Sequence, residues 1–213
     1  MKIKTPLFDI KIDIIFLIFM FIFFISSRVR NYFNSFIICY LFIVFHESSH
    51  MLVGALLGKE IDNLNIGIFG VNVSFRNNHY EKYLQIETKK EIINNILMYI
   101  AGPISNFILA FVFYKIKIVF EINIFLGILN LIPIFPLDGY NILKSILKLW
   151  INNDNLILKV INIVNYALLC CLLIIAIAMV FKLYNPSLFL FLIYLIILKS
   201  VNLKHRNKTR YYK

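Results

Sequence analysis

Charge is scarce in this sequence. Only 15% of its 213 residues are Asp, Glu, Lys or Arg, against 61% apolar or aromatic, and mean hydropathy is +0.81. A soluble domain carries about a quarter charged residues, so a water-soluble globular chain is excluded and a multi-pass membrane protein is expected. Acidic residues are scarcer still, 11 against 22 basic. In a soluble protein that excess would suggest nucleic acid. Here the basic residues flank apolar runs, which is a topology signal, and no nucleic-acid partner is expected. Cysteine is nearly absent. Cys39, Cys170 and Cys171 all fall inside apolar runs, which excludes a disulfide framework and a cysteine metal site. No A-x-A cleavage site follows the basic start and apolar run of residues 1–27, and Asp13 adjoins that run. It reads as a retained first span, not a cleaved signal. No internal repeat is detectable, which counts against a repeat-built transporter.

Six apolar stretches approach the roughly 20 residues a membrane span needs: about residues 7–25, 32–57, 92–114, 118–133, 160–181 and 183–198. The first is interrupted by Asp9, Lys11 and Asp13, the sixth by Asn185-Pro186. The expected fold is an all-α polytopic membrane protein of about six transmembrane helices. Residues 1–30 would form a first transmembrane segment, 31–150 a core, and 151–213 a transmembrane hairpin with a basic tail. With six spans both termini share one side, and seventeen of the 22 basic residues fall on it. The positive-inside rule puts that side in the cytoplasm; the membrane expected is a bacterial cell membrane.

Between the second and third spans, Leu64, Ile66 and Ile68, then Val71, Val73 and Phe75, alternate with polar or glycine positions. Period-2 alternation predicts two short strands or a bent hairpin. A folded surface loop and an edge that adds an extended substrate segment remain equal readings of it.

The chain is organised around His46-Glu47-Ser48-Ser49-His50. On a helix, residues four apart lie on one face. Two imidazoles so placed can share one Zn²⁺, with Glu47 acting on a metal-bound water. The motif lies inside the second span, where ionisable groups are costly and functional by default. His46, His50, Gly54 and Gly58 form one stripe, whose glycines suit close packing of a neighbouring segment.

Such a centre needs a third ligand and an open position. The candidate is Asp138, in Asn130-Leu-Ile-Pro133-Ile-Phe-Pro136-Leu-Asp138-Gly139. The two prolines remove backbone donors and should break the fourth helix; broken backbone at membrane depth must be buried or line a cavity. Asp138 then falls just past the cytoplasmic end of the fourth span, and the histidines in the cytoplasmic half of the second. On the third span, Gly102-Pro103 frees backbone groups, and Asn106 reads equally as interhelical glue or as a group lining the site. His79 and His205 lack ligand spacing and read as solvated.

These elements resemble the site-2 protease family of intramembrane zinc metalloproteases. His46 to His50 match its H-E-x-x-H motif, Asn130 to Gly139 its N-x-x-P…L-D-G motif, and Gly102-Pro103 with Asn106 its G-P-x-x-N element. Size and span count are most similar to the stage IV sporulation protein FB branch. The resemblance implies Zn²⁺ held by His46, His50 and Asp138, with Glu47 as general base and acid. Asn106, Asn130, Gly102 and Pro103 would support substrate or site. It also implies a membrane-associated protein substrate such as a sigma-factor precursor, and inhibitory membrane partners. Ser48-Ser49 departs from the family's apolar-Gly pair, and neither a nucleotide-sensing CBS domain nor a PDZ domain is expected. The competing classes are an inactive substrate-binding relative and an ion or solute transporter with a broken-helix site.

Overall fold

The computed structural model describes residues 2–4, 9–25, 30–67, 70–75, 87–184, 188–197 and 199–200. His79, His205, the Asn185-Pro186 interruption and the basic tail lie outside them. The chain divides into two compact units, Met1–Leu129 and Asn130–Lys213.

The first unit contains a four-stranded sheet in the order β1-β2-β3-β4, with β1 at Lys2–Lys4, β2 at Asp9–Ile12, β3 at Ile61–Gly67 and β4 at Gly70–Phe75. Its register follows the apolar alternation. Ile10 pairs with Leu64 and Leu64 with Val73, while Ile12 pairs with Ile66 and Ile66 with Val71. Polar Asp9 pairs with Asn63, which pairs with Ser74. Because side chains alternate between faces, a one-residue slip would exchange these apolar rows for polar ones. The predicted hairpin is therefore present as β3 and β4.

The parallel β2–β3 pair needs a long crossover. Helices α1 (Ile14–Ile25) and α2 (Arg30–Leu56) supply it. This corrects the extent of the first span: Asp9 and Lys11 do not interrupt a membrane helix but lie in β2, and the helix begins at Ile14. The sheet also makes the fold less purely helical than expected.

Tyr40 ties α1, α2 and the sheet together. Its ring stacks on Phe16 at 5.1 Å, and its hydroxyl donates to the Gly67 carbonyl at 3.0 Å. Gly54 on α2 is the seat of Phe75 from β4, whose ring a Cβ there would strike. Gly58 does not share that role. It lies beyond the end of α2 with φ +80 and open space around it, so it ends the helix with a left-handed turn and is not part of a packing stripe.

Helix α3 (Lys89–Val112) starts with a capping box, Thr88 accepting from the Glu91 N–H and the Glu91 carboxylate accepting from the Thr88 N–H. Helix α4 (Lys117–Leu131) follows. Asn123 on α4 is fully buried and donates to the Val119 carbonyl of its own helix at 2.9 Å. Glu121 is exposed near Lys117.

In the second unit, residues 132–137 are irregular before α5 (Asp138–Trp150). Helix α6 spans Asp154–Leu183, capped by the Asn153 side chain, and α7 spans Leu188–Ile197. Ile134, Leu169, Ala176, Leu192 and Leu195 form the core of this unit. Tyr140 packs edge-on against Phe135 at 5.5 Å, while Trp150 is exposed, as an interfacial aromatic would be.

Among the described residues three helices are long and apolar enough to cross a membrane, within residues 33–56, 89–112 and 154–182. Each leaves much of its apolar surface uncovered by the chain itself, with Leu41, Leu52, Ile108, Phe111, Ile163 and Ile174 all exposed. A helix apolar on all sides needs lipid or protein around it.

Candidate metal centre

Helix α2 carries the H-E-x-x-H motif and α3 packs against it. One turn of α2 separates His46 from His50, and both imidazoles are buried. Their Nε2 atoms face each other at 3.1 Å. Two nitrogens on one tetrahedral zinc, each bonded at about 2.05 Å, stand roughly 3.3 Å apart, so the pair already has the spacing of two ligands of one ion.

The outer nitrogens of both rings are held by α3. His50 Nδ1 lies 2.7 Å from the Met98 carbonyl oxygen. A carbonyl only accepts, so His50 Nδ1 carries the hydrogen and its Nε2 presents a lone pair. His46 Nδ1 lies 3.1 Å from the Asn106 side-chain amide. Orientation of ligand histidines through their second nitrogen is the usual arrangement in metal sites.

Gly102 allows this approach. A Cβ on it would run into the Nε2 atoms of both histidines, so α3 meets the imidazoles with bare backbone. Pro103, next in the chain, is buried within the helix, and Ser105 donates to the Gly102 carbonyl at 2.7 Å. The first unit thus brings His46, His50, Gly102 and Asn106 together, with Pro103 beside them. Glu47 is half-buried on α2, next to His46 in the chain.

Ser48 and Ser49 do not point hydroxyls at the imidazoles. Ser48 Oγ donates to the Val44 carbonyl at 2.7 Å and Ser49 Oγ to the Phe45 carbonyl at 3.0 Å. Each is bonded to its own helix four residues back.

In the second unit Asp138 is the first residue of α5, half-buried, and Asn130 lies in the last turn of α4. Gly139 is required where it is: a Cβ would strike the backbone at Leu131 and Ile132, so the start of α5 folds directly onto the end of α4. The irregular turn is held by a residue the sequence reading passed over. Asn165 on α6 is fully buried and accepts from the Phe135 N–H at 2.9 Å. The signal was available, since an Asn inside the apolar run 160–181 is a polar group at membrane depth.

As donors, His46, His50 and Asp138 offer two imidazole nitrogens and one carboxylate oxygen. Imidazole nitrogens and carboxylate oxygens are donor types that zinc takes. The free cysteines add nothing to it: Cys39 is half-buried, and Cys170 and Cys171 are exposed.

Comparison with known proteins gives the same direction. Residues 115–175 match the model of Peptidase family M50. The zinc metalloprotease MJ0392 of Methanocaldococcus jannaschii is 31% identical, the match covering 53% of this chain and 34% of that protein. The chain therefore spans about a third of that relative's length. The solved structure of the site-2 protease from Methanocaldococcus jannaschii superposes with a TM-score of 0.63 at 22% identity, over 92% of this chain and 91% of that one; at that identity the likeness is one of fold. In its motifs, in an M50 segment and in its fold, this chain resembles the site-2 protease family of zinc metalloproteases.

Proposed function

We propose that this chain is an intramembrane zinc metalloendopeptidase. The observation that carries the reading is the His46–His50 pair, buried with Nε2 atoms 3.1 Å apart and both Nδ1 atoms engaged by α3. A bound zinc would lower the pKa of its water and polarise the scissile carbonyl. His46, His50 and Asp138 are the proposed ligands. Glu47 takes the proton of the attacking water and passes it to the leaving amine. Asn130, in the last turn before the Asp138 segment, is proposed to support substrate or site.

The substrate class is a membrane-associated protein cut near the cytoplasmic face. A substrate helix has its carbonyls tied in hydrogen bonds, so it must unwind before attack. Strand β4 ends the sheet order, and an unwound segment added along it would be held by main-chain hydrogen bonds. A six-span arrangement with both termini cytoplasmic is supported by the distribution of basic residues. A sporulation sigma-factor precursor as substrate, inhibitory membrane partners and a bacterial cell membrane rest on the family resemblance alone.

Elemental analysis of the purified chain tests the metal centre. One zinc per chain, lost in His50→Ala and in Asp138→Ala, is expected. A wild type without zinc would overturn the reading and favour the transporter class.

A further inference from the structure

Helix α5, Asp138–Trp150, divides sharply into two faces. Asp138, Asn141, Lys144, Ser145 and Lys148 recur at helical spacing, which places them within about a third of the helix circumference. Every other position of α5 is apolar, aromatic or glycine. A helix so divided suits neither a membrane span nor a wholly buried core. It is also too short to span: 13 residues reach about 20 Å, against a hydrocarbon core of roughly 30 Å.

The chain covers only part of the apolar face. Ile142 is buried and α5 packs on α6, but Ile146 is 40% exposed and Trp150 84%. Tryptophan favours the boundary between hydrocarbon and headgroups. Only residues 151–153 separate Trp150 from α6, which is long and apolar enough to cross a membrane. Trp150 therefore stands beside an end of a membrane-crossing helix. The charge of this segment is one-sided. Lys144 and Lys148 are four apart on the polar face, and no acidic residue lies between Gly139 and Asn153. Both lysines are half-buried, as side chains are whose stems lie on apolar surface while the ammonium stays wet. Each ammonium has three donors, enough for a headgroup oxygen besides a neighbour in the chain.

We propose that α5 is an interfacial helix that binds the surface of an anionic bilayer. Ile146 and Trp150 enter the boundary between headgroups and acyl chains, and Lys144 and Lys148 hold phosphate groups of anionic phospholipid. A helix held flat in the interface also sets the depth of its own first residue, Asp138.

Trp150 is the only tryptophan in the chain, so its fluorescence reports on α5 without labelling. The test uses the full chain in phosphatidylcholine vesicles containing a minor fraction of brominated lipid. Bromines near the headgroup end of the acyl chain should quench Trp150 more than bromines at the bilayer centre, and acrylamide in the water should quench it weakly. At low salt, brominated phosphatidylglycerol should quench severalfold better than brominated phosphatidylcholine at the same fraction, because each lysine enriches anionic lipid within about a Debye length. Lys144→Gln with Lys148→Gln should abolish that preference, and Lys144→Arg with Lys148→Arg should keep it, which separates lost charge from a misfolded helix. Strong quenching by acrylamide with none by bromine would place Trp150 in water, and shielding from both would place it under protein; either overturns the proposal. Equal quenching by the two lipids in the wild type, or a preference that survives the paired Gln substitutions, would overturn the headgroup contacts.

Discussion

Asn165 holds the turn that leads to Asp138: its side-chain oxygen accepts from the Phe135 N–H at 2.9 Å, fully buried on α6. Pro133 and Pro136 flank Phe135 in sequence, so this N–H sits in a segment with few backbone donors. Asn165→Leu leaves it without that acceptor. An unsatisfied buried donor costs about 1–3 kcal/mol, and a lower unfolding temperature with reduced zinc content is expected. Unchanged zinc content would show that the turn holds its shape without Asn165.

Gly102→Ala should abolish metal binding while sparing the helix. Alanine is ordinarily a better helix former than glycine by about 1 kcal/mol, which offsets the crowding of a Cβ placed directly before Pro103. The added methyl, however, occupies the space of both Nε2 atoms. Circular dichroism should show helix retained, and elemental analysis should show zinc lost.

Gly139→Ala should act by displacing backbone. Its Cβ would meet the Leu131 carbonyl and the Ile132 backbone, neither of which can swing aside as a side chain can. Loss of zinc together with a lower unfolding temperature is expected, and a neutral outcome would contradict the close approach of α5 to the end of α4.

Ser48→Ala and Ser49→Ala should leave zinc content unchanged. Both hydroxyls are bonded to carbonyls of α2, so neither is available as a ligand. Tyr40→Phe is a companion control. It removes the bond to Gly67 at a cost of about 0.5–1.5 kcal/mol, measurable as a modest fall in unfolding temperature, and should not alter the metal.

Much of this was legible before the fold was seen. The histidines are four apart on a continuous apolar helix, and that spacing alone puts them on one face. The Leu64 to Phe75 alternation yields β3 and β4, since period 2 is readable wherever one face is apolar. What sequence did not show is what depends on distant partners. Residues 9–12 look like the start of a membrane span, because a four-residue strand inside an apolar run carries almost no signal of its own; its pairing with β3, some fifty residues away, decides it. Gly58 shares the helical spacing of Gly54, yet the helix ends first. Asn165 was visible only as one polar residue in an apolar run, and its partner Phe135 lies thirty positions away. For Asn106 the residue was legible, but its imidazole neighbour lies sixty positions away.

The most direct measurement of the central claim is cleavage of membrane-tethered reporter proteins by the purified wild type and by Glu47→Gln, with zinc quantified in both. The account predicts one zinc in each protein and cleavage by the wild type alone, because Glu47 moves the proton and holds no metal. Equal cleavage by both, with zinc bound, would contradict it.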